Sequence, residues 1–241
     1  AGVISAEMSG NLRKSAEIDT TLRPVVGDWV VIQLRLAERF AVIHHVLPRR
    51  SKFSRKVTEE VTREQVIAAN IDIAFLVSGL DQDFNLRRLE RYLLTAEHSG
   101  ADPVIILNKV DLCEESDARL SEVRAIAPSV PIITMSAVNK QGLELMNFYL
   151  GHGKTGCLLG SSGVGKSTII NALLDDEIQS TRSTRKDMDR GRHTTTHREL
   201  FVLPGGGLLM DTPGMRELQL WTDESSLSGT TSRRIWGKSK R

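Results

Sequence analysis

Apolar residues recur along this chain in two rhythms, and the change between them falls near residue 67. Before it, residues 22–47 alternate as half-buried strands do. Val26-Gly27-Asp28-Trp29-Val30-Val31-Ile32 and Phe40-Ala41-Val42-Ile43 flank a short polar stretch and predict antiparallel strands of a small β-barrel. The run Leu47-Pro48-Arg49-Arg50-Ser51-Lys52-Phe53-Ser54-Arg55-Lys56 is basic, holds one aromatic and is closed to helix by Pro48. Residues 47–66 are therefore expected to be a linker.

From residue 67 short apolar runs alternate with helical stretches, the pattern of an α/β sheet. Ile73-Ala74-Phe75-Leu76-Val77 predicts the first buried strand. Leu86, Leu89, Leu93 and Leu94 share one helical face, and Gly100 is placed to end that helix in a left-handed cap. Val104–Leu107, Pro131–Met135, Cys157–Leu159 and Leu208–Met210 predict further strands, and Thr168–Leu174 a helix. Residues 223–241 are polar and basic without periodicity, so they predict a disordered tail.

Each predicted strand after the first delivers a polar motif at its carboxyl end, where ligands bind in open α/β sheets. Gly160-Ser161-Ser162-Gly163-Val164-Gly165-Lys166-Ser167, with Thr168 following, is a full phosphate-loop match. Glycines there let backbone N–H groups curl around an anion at a helix N-terminus, Lys166 adds a point charge, and the Ser167 hydroxyl suits a Mg²⁺ shell. Asn108-Lys109-Val110-Asp111 reads as a guanine-selecting quartet. The Asp111 carboxylate can accept both N1–H and N2–H₂ of guanine, a fit adenine does not offer. Asn108 would tie this segment to the phosphate loop, the Lys109 stem would cover the base, and the Ala137 N–H, after Ser136, would meet the guanine O6.

Asp211-Thr212-Pro213-Gly214 reads either as a plain β-turn or as a switch, with Asp211 holding Mg²⁺ through water and the Gly214 N–H meeting the γ-phosphate. The residue after it is Met215, where many hydrolases of this kind place a water-orienting glutamine. Slow intrinsic turnover is expected unless another group enters. Gly191-Arg192-His193-Thr194-Thr195-Thr196 holds the nearest candidates. One of its threonines, Thr195 for instance, could ligate Mg²⁺, and His193 either positions the water or is a loop histidine without a role. The order is unusual, because the quartet and Ser136-Ala137 precede the phosphate loop instead of following it. The domain therefore reads as a circular permutation.

Bulk composition narrows the setting. The chain has 241 residues, 40% of them apolar, enough for one ordinary domain and a smaller one. No apolar run is long enough to span a bilayer, the first residues show no signal-peptide pattern, and two distant cysteines, Cys113 and Cys157, suggest neither disulfides nor zinc. A cytosolic monomer is expected. Net charge is +2, divided as +3 over residues 1–66, −4 over 67–222 and +3 over 223–241. Basic ends around an acidic centre are compatible with a nucleic-acid partner.

Together these stretches resemble the RsgA (YjeQ) family of circularly permuted GTPases. The resemblance is carried by Pro24–Val30, Leu47-Pro48-Arg49-Arg50-Ser51, NKVDL at 108–112, GSSGVGKST at 160–168, GRHTTT at 191–196 and DTPGMRE at 211–217. It implies an α/β fold: a permuted phosphate-loop GTPase domain with a three-layer, mostly parallel sheet (67–222), preceded by a partial OB-fold β-barrel (1–46). It also implies Mg-dependent GTP hydrolysis in late assembly of the small (30S) ribosomal subunit, stimulated by that subunit, with its rRNA as partner and His193 linked to hydrolysis. Family members carry a zinc domain whose cysteine and histidine ligands have no counterpart after Trp221. The OB-fold's opening strands have no counterpart before Val3 either. With those parts missing, the alternative is a guanine-nucleotide switch with negligible turnover.

Overall fold

The computed structural model describes residues 2–57, 63–178 and 199–211. Its centre is a six-stranded sheet in the order β10-β11-β9-β6-β7-β8. The strands are β6 (Ile73–Gly79), β7 (Asp102–Asn108), β8 (Ile132–Thr134), β9 (Thr155–Leu159), β10 (Glu199–Val202) and β11 (Leu208–Asp211). All pair in parallel except β10, which runs antiparallel to β11 at one edge. The chain enters at β6, builds outward through β7 and β8, then returns to lay β9 beside β6 and builds the other half. Strand order thus reverses between β6 and β9, which is where such sheets bind ligands.

Both faces of this sheet are covered, which is why its central strands are apolar runs without alternation of polarity. Ala74, Leu76, Ile105, Leu107, Cys157 and Leu159 point to one face. There they meet Leu89, Leu93 and Ala96 of α2 (Leu86–Ser99) and Val123 of α3 (Ser116–Ile126). Phe75, Val77, Val104, Ile106 and Leu158 point to the other, against Met146 of α4 (Glu144–Tyr149) and Ile169, Ile170 and Leu173 of α5 (Lys166–Ile178). The result is the expected three-layer α/β domain. Gly100 closes α2 at φ 83°, as its position predicted.

The expected linker is instead structured. β4 (Lys52–Val57) and β5 (Arg63–Ala69) form an antiparallel pair. Phe53 is 1% exposed, and with Ile67 and Ala68 it packs into the same core as α2. The exposed Lys52 and Arg55 of β4 masked the strand signal. The residues 223–241 read as a tail lie outside the described residues.

The N-terminal part holds β1 (Ser5–Met8), α1 (Gly10–Ile18), β2 (Val30–Arg35) and β3 (Phe40–Val46), with sheet order β1-β3-β2. The strand expected from Val26 begins only at Val30. Gly27 at φ 90° and the Asp28 carboxylate, which accepts from Val25 N at 2.8 Å, turn the preceding residues. Asp28 also anchors this part to the rest. Arg49 Nε and Nη2 donate to its two oxygens at 2.7 Å each, while Arg49 Nη1 donates to Thr21 O at 2.6 Å. The ion pair is nearly enclosed, with side-chain exposures of 10% and 1%.

Candidate functional site

The carboxyl ends of β6, β7, β8, β9 and β11 open on one side of the sheet, and four of them deliver the sequence motifs. Gly160 follows β9, and its backbone passes so near Val77 that an added Cβ would stand 2.5 Å from the Val77 carbonyl. The loop then turns through Gly163 and Gly165 into α5. Gly165 lies at φ 99°, and a Cβ there would clash with Asn108 Nδ2. Val164 is buried, whereas Ser162 and Gly163 are exposed at the loop's crown, and Ser167 and Thr168 are exposed on the first helical turn. Lys166 is 5% exposed and lies within the loop, donating to Gly160 O at 2.6 Å and to Ser161 O. The consecutive N–H groups of 162–167 therefore gather at a helix N-terminus with a lysine beneath them, the arrangement that holds a phosphate.

Asn108 ends β7 and is 2% exposed. Its Nδ2 donates to Val164 O at 2.8 Å, and its Oδ1 accepts from Ala137 N at 3.0 Å. The tie to the phosphate loop is as expected. The Ala137 N–H, by contrast, is engaged within the protein instead of standing open for a base oxygen. Ser136 is buried and shapes that loop, exchanging both backbone bonds with Gln141 at 3.0 and 3.1 Å and accepting from Asn139 N. Lys109 takes a left-handed conformation at φ 67°, and a 3-10 turn from Val110 to Leu112 follows, leaving Asp111 exposed. Left-handed non-glycine residues collect at functional sites because the surrounding structure must hold them there.

Asp211 stands half-buried at the end of β11, one residue past Met210, which pairs with Cys157 of β9. It and the Ser167 hydroxyl are hard oxygen donors at the same end of adjoining strands, a set that fits Mg²⁺ rather than a softer metal. No cluster of three or more His, Cys, Asp or Glu residues suited to a metal occurs among the described residues. His193, Thr194, Thr195, Thr196, Thr212 and Gly214 lie outside the described residues.

Sequence reading missed the loop between β6 and α2. Asp81 Oδ2 pairs with Lys109 Nζ at 2.5 Å, and that ammonium holds the Asp81 carboxyl below its ordinary range. Asp83 Oδ2 accepts from Arg88 Nη1 at 2.6 Å and from Ser161 Oγ at 2.5 Å. Arg88, and then Ser161, hold the Asp83 carboxyl low in turn. A sequence could flag these residues only as charges near a strand end, because their partners lie 28 and 78 positions away. The site is an open cradle. A cavity of about 620 Å³ lies elsewhere, between Glu17, Arg23, Arg55 and Glu64. No described helix is long and apolar enough to cross a membrane.

Known proteins resemble this chain in sequence and in fold. A profile of the RsgA GTPase family matches residues 46–221. A small ribosomal subunit biogenesis GTPase RsgA from Opitutus terrae is 49% identical over 238 residues, covering 95% of this chain and 65% of that protein. Its counterpart in Methanosarcina acetivorans is 45% identical over 218 residues, covering 90% of this chain and 58% of that one. The chain thus spans less than two thirds of either relative. Among solved structures, YjeQ from Thermotoga maritima superposes with a TM-score of 0.63 at 27% identity, covering 86% of this chain and 65% of that one. YloQ, described as a circularly permuted GTPase, gives 0.59 at 25% identity, covering 90% and 65%. By matched span and identity alike, this chain belongs to the RsgA GTPase family of circularly permuted GTPases.

Proposed function

We propose that this chain binds guanine nucleotide with Mg²⁺, hydrolyses GTP to GDP and phosphate, and acts in maturation of the small ribosomal subunit, whose binding stimulates the hydrolysis. The observation that carries this reading is Asn108, one side chain bonded both to Val164 in the phosphate loop and to Ala137 in the loop after β8. A base-reading segment and a phosphate cradle are thereby held at one fixed spacing, as a nucleoside polyphosphate requires. Asp111 would read the guanine edge, and the N–H groups of 162–167 with Lys166 would take the β- and γ-phosphates. Ser167 and Asp211 would hold the metal, which supplies charge neutralisation across the phosphates.

Ribosomal action is supported by the relatives' names, small ribosomal subunit biogenesis GTPase RsgA, and rRNA is the proposed contact. His193 is proposed to position the attacking water, and Thr195 to complete the metal shell. The test is phosphate release from GTP, with ATP as control, with and without purified small ribosomal subunits. Slow release from GTP alone, raised at least tenfold by subunits, and none from ATP, is the expected outcome. Equal turnover of ATP would remove the base-reading role of Asp111. GDP binding without stimulated turnover would reduce the protein to a nucleotide-binding switch.

A further inference from the structure

The loop from Leu80 to Asn85 belongs to none of the nucleotide motifs, yet it is bonded to two of them. Leu80 N donates to Asn108 O at 2.8 Å, and Asp81 takes the Lys109 ammonium at 2.5 Å. Two residues on, Asp83 takes the Ser161 hydroxyl at 2.5 Å and the Arg88 guanidinium at 2.6 Å. Arg88 Nη1 also reaches Ser161 Oγ at 2.8 Å, so a carboxylate, a guanidinium nitrogen and a hydroxyl close a ring in which the nitrogen uses both of its hydrogens. The loop between the two carboxylates is itself stiff. Asp83 N donates to Asp81 Oδ1 at 3.1 Å, Phe84 N donates to Asp81 O at 3.0 Å, and Asn85 caps α2 through Arg88 N. The Arg119 guanidinium lies over the Phe84 ring, 4.9 Å from its centre.

We propose that Leu80–Asn85 is a positioning element of the nucleotide site, in which Asp83, braced by Arg88, fixes Ser161 of the phosphate loop while Asp81 fixes Lys109 beside the base. The inference rests on the guanine-nucleotide reading above. A phosphate loop pays in conformational entropy when it closes on its anion, and a loop pinned beforehand by its own side chain loses less. Asn108 pins Val164 from one side, and Asp83 pins Ser161 from the other. Asp83 and Arg88 touch Ser161 rather than the phosphates, so they act through the loop.

The two carboxylates should consequently fail differently. In competition binding, Asp83→Asn is expected to weaken GDP roughly tenfold, the scale of one charge-assisted hydrogen bond, and to weaken GMP much less, because GMP lacks the outer phosphate that the loop encloses. Asp81→Asn is expected to weaken GDP and GMP alike. Ser161→Ala should match Asp83→Asn, and the double variant should be no worse than either alone. Arg88→Lys should keep most GDP affinity, since one ammonium can reach both partners, whereas Arg88→Ala should lose it. Equal losses of GDP and GMP in Asp83→Asn, additive losses in the double variant, or GDP affinity within twofold of wild type would each overturn the proposal. Wild-type protein that binds neither GDP nor GMP would overturn the functional reading first and this one with it.

Discussion

Asn108 spends its amide on two loops at once, one bond donated to Val164 O and one accepted from Ala137 N, and it is almost fully enclosed while doing so. A buried donor or acceptor that loses its partner costs about 1–3 kcal/mol, and a buried charge without a partner costs more. Asn108→Ala orphans both backbone partners. Asn108→Asp keeps the acceptor facing Ala137 but sets an anion against the Val164 carbonyl. Denaturant unfolding should therefore rank wild type above Asn108→Ala and Asn108→Ala above Asn108→Asp; an Asp variant as stable as wild type would mean that the bond to Val164 contributes nothing. At this scale the sequence spoke clearly where a role is written in consecutive residues, as in Gly160–Ser167 and Asn108–Asp111. It foresaw one bond across the sheet, from Asn108 to the phosphate loop, and was silent on two others. The use of the Ala137 N–H by Asn108, and of Ser161 by Asp83, depends on which loops the topology brings together, and no local pattern encodes that.

Among the elements, β6 and β7 were legible because burial on both faces gives each an unbroken apolar run, Ile73–Val77 and Val104–Leu107, and α2 because its leucines repeat at helical spacing and stop at Gly100. The β4–β5 pair was not, since in β4 the exposed Lys52 and Arg55 surround the buried Phe53 and look like a solvated linker. What that pair does follows from its neighbours. Thr20 Oγ1 donates to the Glu64 carbonyl of β5 at 2.7 Å, Ala69 N donates to Val26 O at 3.1 Å, and Asn70 Nδ2 donates to Gly27 O at 2.9 Å. The Asp28–Arg49 pair completes this seam. Removing one partner of an enclosed ion pair costs about 3–5 kcal/mol because the other charge is left without a counterion. Arg49→Ala is accordingly expected to loosen residues 2–46 from the sheet, seen as protease cleavage near residues 20–30 that wild type resists. Arg49→Lys should rescue only part of the resistance, as a lysine offers Asp28 a point charge instead of a fork. Identical digestion patterns for wild type and Arg49→Ala would show that the backbone bonds alone hold the seam.

Across the whole molecule, burial divides the chain unevenly. The six-stranded sheet lies between two apolar layers, while the three-stranded sheet leaves Trp29 70% and Leu34 52% exposed and both of its outer strands as edges. Local opening is easier where few apolar contacts must be broken, so β2 should exchange its amide hydrogens far faster than β6, β7 or β9. A ligand that binds only the folded site stabilises what it touches, by about 2.7 kcal/mol at a hundredfold excess over its Kd. The motifs lie at the carboxyl ends of β7, β8, β9 and β11, the Leu80–Asn85 loop lies at that of β6, and β1–β3 contribute no residue to them. Saturating GDP with Mg²⁺ is therefore expected to slow exchange at residues 80–85, 108–112, 136–139 and 160–167 and to leave residues 30–46 unchanged. Protection spreading into β2 and β3 to the same degree would mean that the N-terminal sheet senses the nucleotide through the Asp28–Arg49 seam. Protection confined to 160–167 would mean that the base-reading loops are already as rigid without nucleotide as with it. Either pattern is read by hydrogen exchange on the intact chain, and each assigns the coupling between the two sheets to a different set of bonds.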